Sequence, residues 1–320
     1  MSLAQDSSRY SKKYFLCMIM PAKNVEKYID EAITSYLLHD RDDILLVIID
    51  DHSDDDTFNI CSRLQMKNPS RILLEKNKAS GKVNAINYGY SLINASYYKF
   101  VDADDCLMES FWDMLERNAS KNQSFVHPFI AVTHELEKIS ILPMAHQSIK
   151  NNKKYIKNLI LLPKVAWTFF ESDIENVFPI PQEMPFEDIW FSLSVYANNI
   201  YIHNEVEPAY LYRQHESQTF GNLNDISEER LNFRFMRIIS SIEIIEKQHA
   251  FKDYLSLLDC SKSLANFMMR KESLKVIFFK CGVVSSLKHL LLRDFKKCYQ
   301  FVRILAWQLR LLQNFLSSKS

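Results

Sequence analysis

Glycine is scarce in this chain, with four in 320 residues. None of them completes a GxGxxG or a GxxxxGK(S/T) stretch, so neither a dinucleotide cofactor of the usual kind nor a P-loop ATPase is expected. The six cysteines (Cys17, Cys61, Cys106, Cys260, Cys281, Cys298) form no CxxC pair and lie in apolar or helical surroundings, which reads as reduced thiols of a cytoplasmic protein. No apolar run reaches the roughly 18 residues that a membrane-crossing helix needs. The opening "MSLAQDSSRYSKK" is polar and is followed by too short an apolar run for a secretory leader. Charge of one sign is also missing, with 39 Lys and Arg against 39 Asp and Glu, and gives no sign of a nucleic-acid partner.

Hydrophobic residues make up 47% of the chain and charged ones 24%, enough for a sizeable globular core. The balanced total hides a polar distribution. From Arg270 onward eleven basic residues face two acids, Glu272 and Asp294, so this tail carries +9 and residues 1–269 carry −9.

Periodicity divides the chain in two. "YFLCMIMPAKN", "ILLVIIDDHS", "RILLEKN" and "YYKFVDADD" read as strands. "VEKYIDEAITSYLLH", "DDDTFNICSRLQMKN" (with an aspartate N-cap) and "GKVNAINYGYSLIN" read as the helices between them. That alternation predicts a mostly parallel central sheet with flanking helices. Farther on, "SFVHPFIAVTHELEKISILPM" suggests two strands in a hairpin, "PFEDIWFSLSVYANN" a helix, and "IYIHNEVEPAYLYRQH" a strand pair or a strand and loop. Beyond about residue 225 the pattern is helical to the end. The expected division is an α/β domain over 1–224 and an all-helical basic region over 225–320.

In an open parallel sheet, ligands bind outside the carboxyl ends of the strands. That edge should gather "MPAKN", "DDHSDDDT" and "DADD", and with them Asp50, Asp51, Asp102, Asp104 and Asp105. Crowded carboxylates raise one another's pKa unless a cation neutralises them, and Mg²⁺ takes one or two carboxylates plus substrate phosphates. The bland alternative makes Asp51 and Asp105 helix caps and the others solvated loop acids. Lys82, at a helix start just after the flexible Gly81, suits a phosphate, although a surface lysine has the same appearance.

These stretches, in this order and spacing, resemble the family 2 glycosyltransferases, closely over about residues 14–110 and more loosely to about 220. The resemblance implies a GT-A fold and an inverting transfer from a nucleotide-sugar donor, with UDP as the expected nucleotide. It implies that Pro21, Ala22, Asn24, Asp51, Ser53 and Lys82 bind the donor, Asp51 through the base and Lys82 near the diphosphate or ribose. Asp102-Ala103-Asp104 is similar to the family's DxD motif, so Asp102 would face the ribose or a metal-bound water and Asp104 would hold Mn²⁺ or Mg²⁺. "MPFEDIW" resembles the ED motif, with Asp188 as general base and Glu187 supporting it. "YRQHESQT" implies His215 beside the diphosphate or in the metal shell, and Arg213 as a weaker phosphate contact. Read without the resemblance, Glu187-Asp188 is a pair of first-turn acids favoured by the helix dipole. The sequence departs from the family at Asp56, where many relatives have glycine, and at Trp190, which is displaced by Ile189. Trp167 and Phe170 suggest acceptor contacts or core packing equally.

The basic tail mixes leucine and aromatics with lysine and arginine. It reads either as helices packing on the catalytic domain or on a second protomer, or as a membrane-surface contact on the inner face of the membrane. The resulting expectation is a metal-dependent transferase acting on a glycan or lipid-linked glycan acceptor in bacterial surface polysaccharide assembly. A receiver-like signalling domain and a catalytically inactive sugar-nucleotide-binding scaffold are the alternatives.

Overall fold

The computed structural model describes residues 12–39, 41–142, 162–215 and 228–269. They belong to two compact units, one holding the described residues up to His215 and the other residues 228–269.

The described residues of the first unit form eleven strands: β1 (Lys13–Ala22), β2 (Ile44–Asp50), β3 (Ile72–Lys76), β4 (Asn94–Phe100), β5 (Cys106–Leu107), β6 (Ser124–Val126), β7 (Phe129–Val132), β8 (Lys138–Leu142), β9 (Trp167–Phe170), β10 (Ile202–Asn204) and β11 (Tyr210–Arg213). The central sheet runs β10-β6-β9-β4-β1-β2-β3. β1 pairs in parallel with β2 and β4, β2 with β3, and β10 with β6, while β9 lies antiparallel between β4 and β6. A second sheet runs β5-β11-β7-β8.

The inner strands are near-continuous apolar runs because both faces are covered. Leu16, Met18 and Met20 of β1 join one core cluster with Ile29 and Ile33 of the helix Ile29–Tyr36 and Phe111 and Leu115 of the helix Ser110–Ala119. Side chains alternate along a strand, so Ile19 faces the other way, toward Gly89 of the helix Lys82–Leu92. On that second face Phe100, Phe178, Phe191 and Phe169 form a chain of ring contacts. Cys17, Cys61 and Cys106 are free and buried.

Several local expectations change. The first helix begins at Ile29 rather than Val25, because Val25 N–H donates to Thr57 Oγ1 (2.8 Å) and Glu26 N–H to Asp55 Oδ2 (3.1 Å), tying that turn to the next loop. At the helix Thr57–Lys67, Asp56 occupies the cap position without a cap bond, and Asp55 Oδ1 accepts Thr57 N–H instead (3.0 Å). The predicted hairpin is really three strands in two sheets: β6 enters the central sheet, and β7 and β8 pair in the second. β10 and β11 likewise separate into different sheets. "WTFF", read as acceptor contacts or core packing equally, supplies the antiparallel β9.

The second unit holds the helices Glu228–Ile245 and Leu255–Met268, joined through the turn His249–Tyr254. It buries Ile242, Ile245, Phe251, Leu258 and Ala265, and it agrees with the helical reading beyond 225. The division at 224 and 225 and the basic tail from Arg270 lie outside the described residues. No described helix is long and apolar enough to cross a membrane.

Gly89 allows the close approach of its helix to β1 and β2. A Cβ there would lie 2.8 Å from Ile19 Cγ2 and 3.3 Å from Ile49 Cγ1. Gly89→Val is expected to lower stability by about 1–3 kcal/mol, the usual cost of overpacking, read as a lower urea midpoint at unchanged slope.

Candidate active site

Parallel pairing brings the strand ends to one edge. Ala22 lies opposite Asp50 in the β1–β2 register, and Ile19 opposite Phe100 in the β1–β4 register. Beyond the strands the lattice continues for one more bond at each place: Asp51 N–H to Ala22 O (2.8 Å), Asn77 N–H to Asp50 O (2.8 Å) and Val101 N–H to Ile19 O (3.0 Å). Pro21, Ala22, Asn24, Asp51, Ser53, Asn77 and Asp102 therefore share a single rim.

On the β1–β2 side the loops lock together. Asn24 N–H donates to Ser53 Oγ (3.1 Å), and Asp54 N–H donates to Asn24 Oδ1 (2.8 Å). The Asp51 carboxylate is buried and accepts Asn77 Nδ2–H (2.7 Å) and Gly81 N–H (2.9 Å), with Lys23 Nζ 3.9 Å away. Gly81 makes that contact at φ +116°, a conformation closed to side-chain-bearing residues. The freedom read at Gly81 is thus used to hand its N–H to Asp51. Asn77 was not foreseen; a lone asparagine after a strand carries no sequence signal.

On the β4 side Asp102 sits between two lysines. Its Oδ1 accepts Lys164 Nζ–H in a very short ion pair and lies 3.0 Å from Lys82 Nζ. Lys82 also reaches Glu187 Oε1 (3.1 Å) and so bridges the segments that hold Asp102 and Glu187. Burial works against the Asp102 carboxylate, but Lys164 and Lys82 outweigh it and hold its pKa well below the usual range. Burial likewise opposes Glu187 and is outweighed by Lys82 and Lys164, so its pKa is lowered. Partial burial opposes the half-exposed Lys82 ammonium, but Asp102 and Glu187 hold it above the ordinary lysine value.

Asp188 follows in the first turn of the helix Glu187–Ala197, where its Oδ1 accepts the backbone N–H of Lys164 (2.7 Å). Burial, and then the neighbouring Glu187 charge, push it up to about 7. That value poises a carboxylate for proton transfer near neutral pH. Lys164 itself was missed, because "LLPKVAW" looks like a strand edge with a surface lysine. Its side chain is only 2% exposed.

Asp104 Oδ2 meets His215 Nε2 at 2.9 Å, and the His215 ring packs on Tyr28 with centroids 4.8 Å apart. Two donors about 3 Å apart suit neighbouring positions around an ion with bonds of about 2.1 Å. Among the described residues no three His, Cys, Asp or Glu side chains gather so as to hold an ion. This pair would therefore depend on substrate phosphates to complete a shell.

Beneath these groups lies a buried brace. Asp102 N–H donates to Tyr210 Oη (2.9 Å), Tyr210 Oη is 3.3 Å from Tyr36 Oη, and Tyr36 O–H reaches Asp102 O (3.0 Å) and Asp105 O (3.1 Å). Asp105 caps no described helix. It is fully buried and its Oδ1 accepts Arg213 N–H (2.8 Å), while burial and the Asp104 and Asp102 charges raise its pKa well above the usual range. Arg213, expected at a phosphate, is buried and donates to Asp104 O (2.7 Å), Glu31 Oε2 (2.6 Å) and His134 O. Trp167 is also fully buried and stacks on Phe169, so it packs the core; Phe170 is partly exposed and pairs with Tyr97.

Comparison with known proteins follows the same outline. The family described as "Glycosyl transferase family 2" matches residues 17–175. The minor teichoic acid biosynthesis protein GgaB of Bacillus subtilis is 33% identical over 105 residues, which is 32% of this chain and 12% of that protein. The GalNAc(5)-diNAcBac-PP-undecaprenol beta-1,3-glucosyltransferase of Campylobacter jejuni is 22% identical over 305 residues, 94% of this chain and 84% of that protein. Among solved structures, S. aureus TarS 1–349 in complex with UDP-GlcNAc aligns with TM-score 0.55 and 17% identity over 87% of this chain and 79% of that one. The mannosyltransferase PcManGT from Pyrobaculum calidifontis, in complex with GDP-Man and Mn²⁺, aligns with TM-score 0.56 and 12% identity over 97% and 89%. The mixed α/β sheet expected of a GT-A fold is thus shared with these enzymes.

Tyr210→Phe would leave Asp102 N–H without its acceptor. A stability loss of about 1–3 kcal/mol is expected, measured by thermal or urea unfolding.

Proposed function

We propose that this chain, whose residues 17–175 match glycosyl transferase family 2, is a glycosyltransferase that performs a metal-dependent, inverting transfer of a sugar from a nucleotide-diphosphate donor, UDP-linked, to a hydroxyl of a glycan or lipid-linked glycan. The observation that carries this reading is the placement of Asp188. A carboxyl poised at about 7 stands one residue from Glu187, which Lys82 joins to the donor-side Asp102. The UDP-GlcNAc of the TarS structure and the undecaprenol-linked acceptor in the Campylobacter enzyme's name support the donor and acceptor classes. The Mn²⁺ of the mannosyltransferase structure supports the metal.

In this mechanism Asp51, fixed by Asn77 and Gly81, receives the base, while Pro21, Ala22, Asn24 and Ser53 shape the loop around it. Asp102 serves the ribose side, and Lys82 serves the diphosphate, where its ammonium offsets phosphate charge. Asp104 and His215 would hold Mn²⁺ or Mg²⁺, with Asp102 alongside; when bound, the ion neutralises the departing diphosphate. Asp188 takes the proton of the acceptor hydroxyl as that oxygen bonds to the anomeric carbon. The anomeric carbon–oxygen bond to the diphosphate breaks on the opposite side, and its electron pair leaves with the nucleotide diphosphate. Glu187 stays charged and holds Lys82 across the gap. The membrane-surface role of the tail, a second protomer and a cytoplasmic location on the inner face of the membrane remain part of this proposal, carried by residues beyond Arg270.

Three outcomes test it. In a thermal-shift screen with Mn²⁺, UDP-sugars should stabilise the protein by about 2.7 kcal/mol at a hundredfold excess over Kd, and Asp104→Ala should remove the metal-dependent part. No stabilisation by any nucleotide diphosphate would sink the donor site. Asp188→Asn should keep donor binding and lose transfer by about 100-fold or more. Because the base works only when deprotonated, kcat/KM should rise with pH and level off above about 7.

A further inference from the structure

Lys164 touches both Asp102 and Asp188, and it does so with different atoms. Its Nζ pairs with Asp102 Oδ1, and its backbone N–H donates to Asp188 Oδ1 at 2.7 Å. The turn Lys164–Ala166 that carries it is pinned from the sheet beneath. Lys99 Nζ donates to Val165 O (2.8 Å), and His127 N–H donates to Ala166 O (3.3 Å). His127 Nδ1 lies 2.9 Å from Pro128 O, which places its proton there and leaves Nε2 to accept from Lys99 Nζ at 2.8 Å. Lys99 is fully buried, with the faces of Phe111 and Tyr210 as its other neighbours and no carboxylate among its described partners. Burial and the nearby Lys164 drive its pKa well below the usual lysine value. From the other side, Leu162 N–H donates to Ser192 Oγ (3.0 Å) on the helix that bears Asp188. A buried lysine is costly, and at Lys99 and Lys164, both buried, leucine would meet any need of core packing.

We propose that Lys164 is a positioning residue for both halves of the transfer: its ammonium holds the donor-side carboxylate Asp102, its backbone N–H holds the base Asp188, and the buried Lys99–His127 pair fixes the turn that joins them. This rests on Asp188 being the base. The charged groups around Asp188 are Glu187 on its own helix, Lys164 on the turn, Lys82 at its helix start and Asp102 beyond β4, with Tyr212 of β11 also within electrostatic range. The Lys164 side chain supplies positive charge in this set, and its removal leaves the backbone bond to Asp188 in place.

The test compares wild type, Lys164→Met, Lys164→Gln, Lys164→Arg and Asp188→Asn, each checked for cooperative thermal unfolding. The Asp188 carboxyl is titrated by ¹³C NMR, assigned by its loss in Asp188→Asn, and UDP release from UDP-glucose and UDP-N-acetylglucosamine is followed across pH. Lys164→Met should titrate Asp188 at higher pH than wild type, because a neighbouring cation is gone. Its kcat should fall about 10- to 100-fold, the scale for losing an orienting partner, with a smaller change in donor KM. Lys164→Gln should behave like Lys164→Met, so the outcome does not hang on one variant folding. Lys164→Arg should keep the Asp188 titration at its wild-type position. An unshifted Asp188 titration with wild-type kcat in the neutral variants would overturn the proposal. So would an equal shift in Lys164→Arg, since charge would then not be the cause. Normal turnover by Asp188→Asn would instead overturn the base assignment, and with it the half of the proposal that concerns Asp188.

Discussion

A carboxylate between two ammonium groups organises this molecule. Asp102 stands at the end of β4 with Lys164 on one side and Lys82 on the other. Alone, a desolvated carboxylate would take up a proton, and a desolvated lysine would lose one. Together they keep their charges, and the pair with Lys164 lies deep enough for solvent to screen it little. Breaking such a buried pair from one side costs about 3–5 kcal/mol, because the survivor is left uncompensated. Lys82 differs: its side chain is half exposed, so its bridge to Asp102 and Glu187 is open to water.

The surroundings follow from that arrangement. The peptide of Asp102 must stay in place while its carboxylate is pulled by two cations, and the Tyr36–Tyr210 pair holds it from below. Asp105 and Arg213 extend the brace to β11, so that Asp104 and His215, which come from strand ends far apart in the chain, meet at 2.9 Å. The neighbouring acids then separate by environment. Asp102 and Glu187 are kept ionised by lysines, while Asp188, beside the Glu187 charge, is pushed up to about 7. Groups whose surroundings drive their pKa values apart can take different roles in one reaction.

Much of this site was legible beforehand. The DxD and ED acids, Lys82, Gly81 and His215 each stood in a short stretch whose neighbours gave it context, and the structure brings Asp102, Lys82 and Glu187 into contact, and Asp104 and His215 likewise. Other residues were misread or missed for a common reason. Arg213 read as a weak phosphate contact and Asp105 as a helix cap, because burial of a charge is decided by what packs over it. Lys164, Asn77 and the Lys99–His127 pair gave no periodic or motif signal, because their partners lie dozens of residues away. Of the stretch 124–144, read as two strands in a hairpin, β7 and β8 form the hairpin, while β6 joins the central sheet, because strand propensity is local whereas sheet membership depends on which edge is free.

The sequence by itself determined the alternation of strand and helix, the acid-bearing strand ends and the parallel order that puts them on one edge. Those follow from hydrophobic period and short connections, which any stretch carries within itself. Only the tertiary structure decided which acids keep their charge. That depends on the antiparallel insertion of β9, which brings the Lys164 turn against β4, and on the distances that Coulomb attraction and desolvation weigh against each other.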